Sequence, residues 1–234
     1  MNQIIETEDN SHTIFDQKTG EHYHSIHGAI QESTHIFIEA GLKCTKPATQ
    51  TLNILEIGMG TGLNVLLTLM HSENISKRIN YISIELYPIE KEIINQLNYP
   101  KLLHKPDLEI GFQNIHNEKW NIPYYLTENI ILNKINADFN DLQLTENSFD
   151  LVYFDAFSPE TQPDLWTDDV FEKLYKSMKN NGLFVTYCAK GIVKRSLKKA
   201  GFQIEILAGP KGKRHIIRAT KKIEISNCCN HKHE

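Results

Sequence analysis

The 234 residues carry 29 acidic side chains, 25 basic side chains and 11 histidines, which gives a formal net charge of −4, and 40% of the residues are hydrophobic. This length suits one domain with at most an appended segment, and the composition is that of an ordinary soluble globular protein. The sequence contains no run of about 18 apolar residues, which excludes a membrane span, and it lacks a secretory signal at its start, so a cytoplasmic location is expected.

The first 50 residues are a mixed and histidine-rich stretch, which we expect to form an N-terminal extension or cover of the main domain. Apolar residues within 29–40 have a helical spacing and Gly41 is a stop signal, so a helix is predicted there. The spacing of the histidines matches no motif of metal ligands, and we predict no metal site among them. They are His12, His22, His24, His27 and His35.

From residue 51 onward, apolar runs typical of strands alternate with helical patterns. The first runs end at Glu56, Glu85 and Asp138, with a helix predicted after each of the first two, the second at 88–98. The strongest β pattern, FDLVYFDAF at 149–157, contains Asp155. Strands that alternate with helices predict right-handed crossovers and a mostly parallel sheet.

The C-terminal third continues the alternation and then changes it. An amphipathic helix with Thr167 as its N-cap and Gly182 at its end is followed by a strand and by a helix that Gly201 closes. Two strands joined by a Gly-Pro-Lys-Gly-Lys turn then predict an antiparallel hairpin at one edge. We therefore predict an α/β domain over 51–225, and a flexible tail at 226–234 that contains Cys228, Cys229, His231 and His233.

The loop LEIGMGTGLN at 55–64 follows the first strand and opens the first helix. Its glycines form the pattern G-x-G-x-G, whereas the third glycine of the dinucleotide fingerprint would fall at Leu63. Glycines allow a sharp turn and a close approach of the backbone to a ligand. A carboxylate such as Glu85 at the end of the next strand can accept hydrogen bonds from ribose hydroxyls. Enzymes that bind NAD and enzymes that bind S-adenosylmethionine both use this arrangement.

Four acidic residues follow four successive strands: Glu56, Glu85, Asp138 and Asp155. The carboxyl ends of parallel strands lie at one rim of a sheet, where open α/β folds bind their ligands. Burial of carboxylates without partners is costly, so four of them at one rim predict a binding site. Asp138, with Phe139 beside it, could meet an adenine amino group and ring, or could simply cap its loop.

The basic residues are concentrated near the C-terminus. Between Lys190 and Lys222 there are eleven lysines and arginines against Glu205 alone, a charge of about +10 that leaves about −14 on the rest of the chain. A basic region of this kind can attract a polyanion although the whole chain is mildly acidic. The alternative is a solvated helix face.

The glycine loop with Glu85 resembles class I S-adenosylmethionine-dependent methyltransferases. The stretches DAFSPETQPDLWT at 155–167 and GLFVTYCAKGIVKRSLKKAGF at 182–202, with GKRHIIRAT at 212–220, are similar to one group of them, the tRNA 5-(aminomethyl)-2-thiouridine methyltransferases. This group includes the methyltransferase half of bifunctional MnmC proteins and also stand-alone enzymes. Residues 21–42 of this chain also resemble the group, particularly its stand-alone members. The resemblance covers about residues 12–220 and implies a Rossmann-like fold with a seven-stranded sheet.

The resemblance also implies a reaction and its site. S-adenosyl-L-methionine would be the cofactor, tRNA the partner, and the 5-aminomethyl group of the wobble (2-thio)uridine the methyl acceptor, with Asp155 as the catalytic residue that positions and deprotonates the amine. The sequence Thr161-Gln162 departs from the family, where a lysine is common in this loop. The expected cofactor-binding residues are Glu56, Gly58, Gly60, Gly62, Asn64, Glu85, Asp138 and Phe139; the expected substrate-binding residues are Phe157, Trp166, Lys190, Lys213 and Arg214.

Three other functions are compatible with parts of the pattern. An aminopropyltransferase of the spermidine-synthase type would share the fold and an acidic amine site, but a small polyamine needs no basic surface. A non-catalytic RNA-binding protein would not need the intact glycine loop. An NAD-dependent dehydrogenase is disfavoured by Leu63.

Overall fold

The computed structural model describes residues 2–222, so the predicted tail with its cysteines and histidines lies outside the described residues. The N-terminal part forms a separate antiparallel sheet in the order β1-β2-β3, followed by helix α1. The helix predicted at 29–40 is present, but beyond Ser33 its backbone is π-helical, and a 3-10 turn follows at Leu42–Cys44. The bounds are β1 Asn2–Glu6, β2 His12–Asp16, β3 Glu21–His22, α1 Ala29–Ser33 and the π-helix Thr34–Glu39.

The main sheet has eight strands in the order β10-β11-β9-β8-β4-β5-β7-β6. Its five central strands are parallel, and the two edges are antiparallel. The predicted mostly parallel sheet with a C-terminal hairpin is thereby confirmed. The bounds are β4 Thr51–Ile57, β5 Arg78–Glu85, β6 Tyr124–Thr127, β7 Ile130–Asn136, β8 Phe149–Phe154, β9 Met178–Thr186, β10 Gln203–Ala208 and β11 His215–Thr220.

The expected strand count of seven was wrong, because β6 adds an eighth strand at one edge. β6 has only four residues, and its pairing with β7 shifts register between Tyr125 and Thr127. A short edge strand with an irregular register leaves little periodic signal in a sequence.

The helices pack on the two faces of this sheet, and two of them differ from the prediction. Of the predicted helix 88–98, only Lys91–Ile94 is helical. The predicted helix end at Gly182 is wrong: α6 ends at Ser177, and Met178 already pairs with Phe149 as the first residue of β9. The bounds are α2 Leu63–Ser72, α3 Lys91–Ile94, α4 Tyr99–Leu102, α5 Pro106–Asn117, α6 Asp168–Ser177 and α7 Gly191–Lys199. No helix among the described residues has the length and apolar character to cross a membrane.

Strand β8 shows how the core holds the sheet. Leu151 and Tyr153 point to the face covered by α2 and the π-helix, where the ring of Tyr153 contacts that of Phe37 at a tilted angle with ring centroids 5.2 Å apart. Val152 and Phe154 point to the opposite face, covered by α6 and α7. All four side chains are fully buried. A strand buried on both faces is held rigidly, so its carboxyl end, where Asp155 follows, has a fixed position.

The strand order reverses direction between β4 and β8. From β4 the chain proceeds through β5 to β7 on one side, whereas β8 and β9 lie on the other side. A crevice forms outside the carboxyl ends of parallel strands at such a switch point, and ligands of open α/β sheets bind there. The glycine loop after β4 and Asp155 after β8 are the two segments that border it.

Candidate active site

A cavity of about 1650 Å³ lies at this switch point. Its floor consists of the carboxyl ends of β4, β5 and β8, with the loop after β7 at one side. Its cover consists of residues 18–26 of the N-terminal part and the loop 156–165. The cavity is large enough for a nucleoside-sized ligand together with a second small group, since ligand pockets commonly measure about 300–1,000 Å³.

Gly58 is required where the floor is tightest. Its amide donates to the carbonyl of Ile84 at 3.0 Å, and the amide of Asp155 donates to the carbonyl of Ile57 at 2.9 Å. A Cβ atom on Gly58 would lie 2.5 Å from the carbonyl oxygen of Asp155, and its φ is +86°. Any side chain would therefore displace the end of β8, so this glycine fixes the distance between the loop and Asp155.

The other two glycines of the loop have different surroundings. Gly60 lines the cavity, and a Cβ atom on it would lie 2.9 Å from the ring of Tyr23 in the cover. Gly62 precedes α2 in the left-handed region and is buried against His116, where a Cβ atom would lie 2.8 Å from Nε2. Gly62 therefore serves helix packing and does not line the cavity.

Glu85 lies on the cavity wall and fastens the glycine loop. Its Oε2 accepts a hydrogen bond from the amide of Gly60 at 3.0 Å, and its Oε1 accepts one from the amide of Tyr87 at 2.9 Å. Burial raises the pKa of Glu85, although these backbone hydrogen bonds act in the opposite direction. Each carboxylate oxygen has a second lone pair, so both remain able to accept a further hydrogen bond from a ligand.

Asp138 and Phe139 form one side of the cavity, where the 3-10 helix Phe139–Asp141 begins. Oδ1 of Asp138 accepts a hydrogen bond from the amide of Asn140 at 2.8 Å, which caps this helix. The ring of Phe139 is almost fully buried beneath Lys173, whose Nζ lies 4.3 Å from the ring centroid. The capping role considered for Asp138 is therefore present, and its other oxygen has no hydrogen bond to a described residue that would prevent contact with a ligand.

Asp155 faces the cavity from the end of β8. Its Oδ2 accepts a hydrogen bond from Nδ2 of Asn64 at 2.9 Å. Burial raises the pKa of Asp155 to about 7, and the negative charge of Glu32 adds to this effect, while Asn64 and Lys213 oppose it. A carboxyl group whose pKa lies near neutrality is suited to proton transfer at physiological pH.

Glu56 does not line the cavity, in contrast to the expectation of a cofactor contact. Its side chain is fully buried beneath the floor, where Oε2 accepts a hydrogen bond from Oγ of Ser83 at 2.5 Å. Asn64 lies in the same buried layer and reaches the cavity only through its hydrogen bond to Asp155. Burial raises the pKa of Glu56 to about 8.

The loop after Asp155 separates the two predicted aromatic residues. Phe157 lines the cavity and contacts Tyr23 edge-on with ring centroids 4.9 Å apart. Trp166 is buried in the core, and its indole Nε1 donates to the carbonyl of Phe157 at 2.8 Å. The expectation that Trp166 contacts substrate is therefore wrong: packed in the core, it supports the loop and offers no stacking surface.

Thr161 and Gln162, where the resemblance led us to expect a lysine, hold the loop together. Oε1 of Gln162 accepts a hydrogen bond from the amide of Phe157 at 2.9 Å. The hydroxyl of Thr161 donates to Oε1 of Glu21 at 2.5 Å, and Ser158 donates to Glu21 through its hydroxyl and, at 3.2 Å, its amide. Glu21, in β3, therefore clamps the loop 156–165 to the N-terminal sheet.

Several cavity residues come from the N-terminal part and were missed as site residues in the sequence. His24 is buried, and its Nε2 lies 2.7 Å from the hydroxyl of Thr61 in the glycine loop. Glu32 forms an ion pair of 2.7 Å with Nζ of Lys213, which also lies 5.0 Å from the ring centroid of Tyr187. In the sequence, the resemblance of the segment 21–42 to the family indicated that this region matters, but it did not indicate which of its residues line the cavity.

The structure separates the three basic residues that were expected to bind substrate. Lys190 lines the cavity rim in an ion pair with Glu160, and Lys213 lines it in the pair with Glu32. Arg214 is exposed and lies off the cavity. Among the residues 2–222, no group of three or more histidine, cysteine, aspartate or glutamate side chains is arranged to hold a metal ion.

The chain is similar to several known proteins. A protein-family profile described as S-adenosyl-L-methionine-dependent methyltransferase matches residues 109–222. The tRNA 5-methylaminomethyl-2-thiouridine biosynthesis bifunctional protein MnmC of Campylobacter hominis is 30% identical over 215 residues, which is 88% of this chain and 31% of that protein. The protein of the same description from Legionella pneumophila is 30% identical over 236 residues, 90% of this chain and 35% of that protein.

The chain thus spans about a third of the length of the curated relatives it matches. Among solved structures, MNMC2 from Aquifex aeolicus superimposes with a TM-score of 0.78 at 28% sequence identity. That match covers 95% of this chain and 70% of the Aquifex chain. At 95% of this chain, the match extends into the N-terminal part as well as the main sheet.

Proposed function

Since this chain belongs to the S-adenosyl-L-methionine-dependent methyltransferase family, in its MnmC group, we propose that it methylates the primary amine of 5-aminomethyl-(2-thio)uridine at the wobble position of tRNA. The product would be the 5-methylaminomethyl nucleoside. The observation that carries this proposal is the carboxyl group of Asp155, which faces the cavity beside the glycine loop.

The residues of the cavity suit the cofactor. Glu85 can accept hydrogen bonds from the ribose hydroxyls, and the loop at 58–60 offers backbone without side chains. Nine acidic side chains line the cavity against three lysines, a charge that favours a sulfonium cation and an ammonium group over an anion. Asp138 and Phe139 are proposed for the adenine. When bound, S-adenosyl-L-methionine supplies an electrophilic methyl group.

Asp155 is proposed to perform the proton chemistry. A free alkylamine is mostly protonated at pH 7, with a pKa of about 10, and must lose a proton before its nitrogen can attack carbon. The carboxylate of Asp155 can hold the ammonium group and accept that proton, because burial raises its own pKa to about 7. Loss of that proton to Asp155 would leave the nitrogen lone pair free to accept the methyl group, with the thioether as the leaving group. The fixed position of Asp155 at the end of β8 orients the nitrogen for this displacement.

The substrate RNA is proposed to contact the rim. Phe157 provides the aromatic surface at the cavity on which an extruded base can stack. Lys190 and Lys213 are held in ion pairs, so phosphates would have to compete with Glu160 and Glu32 for them. Arg214, together with Arg195 on α7, has no ion pair to another described residue and provides free positive charge beside the rim. Such phosphate contacts position RNA without reading its sequence.

The decisive experiment is mass spectrometry of wobble nucleosides. tRNA that carries 5-aminomethyl-2-thiouridine is incubated with the protein and S-adenosyl-L-methionine labelled in its methyl group, and one labelled methyl is expected on the wobble nucleoside. Parallel incubations of putrescine with decarboxylated S-adenosylmethionine test the aminopropyltransferase alternative. Absence of label in the tRNA, with transfer to putrescine, would overturn the proposal. Calorimetry with S-adenosyl-L-methionine separates both enzymes from a protein that only binds RNA.

A further inference from the structure

A buried polar layer lies directly beneath Asp155. It contains Glu56 of β4, Asn64 of α2, and Ser83 and Tyr81 of β5, all of which are at most 2% exposed. Ser83 donates to Oε2 of Glu56, and Nδ2 of Asn64 donates to Oδ2 of Asp155. Asn64 is therefore the link between the buried layer and the carboxyl group that faces the cavity.

Two acceptor oxygens in this layer have no donor. Oε1 of Glu56 and Oδ1 of Asn64 are both buried without a hydrogen-bond partner. The side chain of Asn64 is close enough to affect the pKa of Glu56, which an N–H donated by Asn64 would lower, but such a bond would still leave Oδ1 of Asn64 without a donor. A buried acceptor without a donor costs about 1–3 kcal/mol. Two acceptors cannot satisfy one another. The hydroxyl of Tyr81, which is also without a partner, can donate to Glu56, but this leaves Oδ1 of Asn64 unsatisfied.

A proton on Glu56 resolves this deficit, because a protonated carboxyl group gains one donor. We propose that Glu56 is a protonated positioning residue, whose O–H donates to Oδ1 of Asn64 and thereby holds the amide with Nδ2 toward the carboxylate of Asp155. This inference depends on the proposed role of Asp155. If the amide were reversed, its oxygen would face Asp155, which would then have to carry the proton itself and could not accept one from an amine.

Through its two different ends, Asn64 would thus favour a protonated Glu56 together with an ionised Asp155. The charged and titratable groups that influence Asp155 are Glu56 and Tyr81 below it, Glu32 and Lys213 at the cavity, and Tyr187 after β9. Lys213 is paired with Glu32, so the opposite effects of these two charges on the pKa of Asp155 partly cancel. Burial raises the pKa of Glu56 to about 8 and that of Asp155 to about 7, in agreement with the proton residing on Glu56.

Two substitutions of Glu56 distinguish a role as hydrogen-bond donor from a role in packing alone. In Glu56→Gln the amide can donate to Asn64 while its oxygen accepts from Ser83, as a protonated glutamate would. In Glu56→Met a side chain of similar size has no donor. We expect Glu56→Gln to retain at least about fivefold more methyl transfer than Glu56→Met, since only the first keeps Asn64 oriented. The acid limb of the pH–rate profile should move to higher pH in Glu56→Met, because Asp155 then loses the hydrogen bond that lowers its pKa.

A second variant and a spectroscopic measurement make the test independent of folding and of turnover. Asn64→Leu removes the donor to Asp155 directly and should shift the acid limb in the same direction as Glu56→Met. The infrared difference spectrum of wild type minus Glu56→Gln, recorded at neutral pH, should contain a protonated carboxyl band that belongs to Glu56, since the contribution of Asp155 is common to both proteins and largely cancels. Calorimetry should give the same affinity for S-adenosyl-L-methionine in Glu56→Gln and wild type, because Glu56 does not line the cavity.

The outcomes are distinguishable from a failure of the proposed function. Equal loss of transfer in Glu56→Gln and Glu56→Met, or no protonated band assigned to Glu56, would overturn the inference. If the band is present but Asp155→Asn transfers methyl groups normally, the protonated Glu56 stands and the proposed role of Asp155 fails. A loss of cofactor affinity in Glu56→Gln would show instead that Glu56 acts on the cofactor.

Discussion

The floor and the cover of the cavity are held by different forces. The floor consists of strand ends and a glycine loop, fixed by backbone hydrogen bonds and by a core in which Leu151 and Phe154 are fully buried. The two segments of the cover are joined to each other and to the rim by side-chain contacts, which include the hydrogen bonds of Glu21 to the loop 156–165 and the exposed ion pair of Glu160 with Lys190. Burial is insensitive to salt, whereas exposed ion pairs compete with water and ions.

This difference indicates a division of tasks. Asp155 and Gly58 on the floor lie within a few ångströms of each other, and small displacements there would disturb the alignment of reacting atoms. The N-terminal part of the cover can shift without moving them, because its side chains Tyr23 and His24 meet the glycine loop at Gly60 and Thr61 and do not touch Asp155 or Gly58 through any hydrogen bond between described residues. We therefore expect changes on the floor to affect chemistry and stability, and changes in the cover to affect access and RNA affinity.

The largest effect is expected from Asp155→Asn on the floor. Methyl transfer should fall about 10²- to 10⁴-fold, since the amine loses its proton acceptor, while the melting temperature and cofactor affinity remain near those of wild type. Asp164→Asn is the matched control, because Asp164 is an exposed carboxylate at the rim of the same cavity. Single-turnover rates with labelled cofactor measure both variants. Near-normal transfer by Asp155→Asn would remove this residue from the mechanism.

The pH dependence of the wild-type protein should follow the same carboxyl group. Asp155 must be ionised to accept a proton, and burial raises its pKa to about 7. The single-turnover rate should therefore rise about tenfold per pH unit below 7 and bend near 7 as the ionised form becomes dominant. The residual activity of Asp155→Asn should lack this bend. A wild-type profile that bends only near pH 4 would contradict the raised pKa.

Substitutions of one glycine on the floor and one in the cover should change the free energy of unfolding by different amounts. Gly58→Ala should reduce the free energy of unfolding by about 2–4 kcal/mol, because the new Cβ would combine a positive φ with a collision against backbone. Gly20→Ala in the cover has a similar φ of +73° but no atom within 4 Å of the new Cβ. It should cost only about 1 kcal/mol, the strain of a left-handed backbone. Urea denaturation measures both, and equal losses would mean that the close approach to Asp155 is unimportant.

Loosening the cover should affect substrate binding more than chemistry. Glu21→Ala removes the acceptor of the hydrogen bonds from Ser158 and Thr161, so the loop 156–165 loses its clamp. We expect KM for tRNA to rise about tenfold with little change in kcat, since hydrogen bonds to a charged group contribute about 1.5–3 kcal/mol. The exposed Glu6 on β1 provides a control in Glu6→Ala. A fall in kcat without a rise in KM would place Glu21 among the residues of the chemical step.

The smallest effect is expected on α7, at the rim. Lys194→Glu combined with Arg195→Glu should weaken tRNA binding about 3- to 5-fold and reduce the slope of affinity against salt by about 1–2, because phosphate contacts are lost. Cofactor affinity should not change. Lys101→Glu with Lys119→Glu alters the same charge on exposed residues that do not line the cavity. Equal losses in the two double variants at every salt concentration would indicate an effect of net charge alone.

The sequence by itself determined the order of the five parallel strands and of the C-terminal hairpin, and the acids at the strand ends, whereas the N-terminal sheet, β6, α4 and α5 were not predicted. Hydrophobic periodicity is a local property, and the ends of parallel strands must meet at one rim, so Glu85, Asp138 and Asp155 could be assigned to the cavity before any coordinates were known. The position of Gly58 in the loop after the first strand indicated that the backbone needs a glycine there. The sequence did not indicate that the atom a side chain would strike is the carbonyl oxygen of Asp155.

Only the tertiary structure decided which of these groups reach the cavity and which support it. Asn64 and Asp155 are 91 residues apart in sequence, and Glu21 and Ser158 are 137 apart, so no local pattern links either pair. Glu56 lies below the floor and Trp166 behind the loop because packing on both faces of the sheet leaves them no exposed position. Which face a side chain at a strand end takes, and what covers it, depends on distant segments of the chain, and that information is absent from the local sequence.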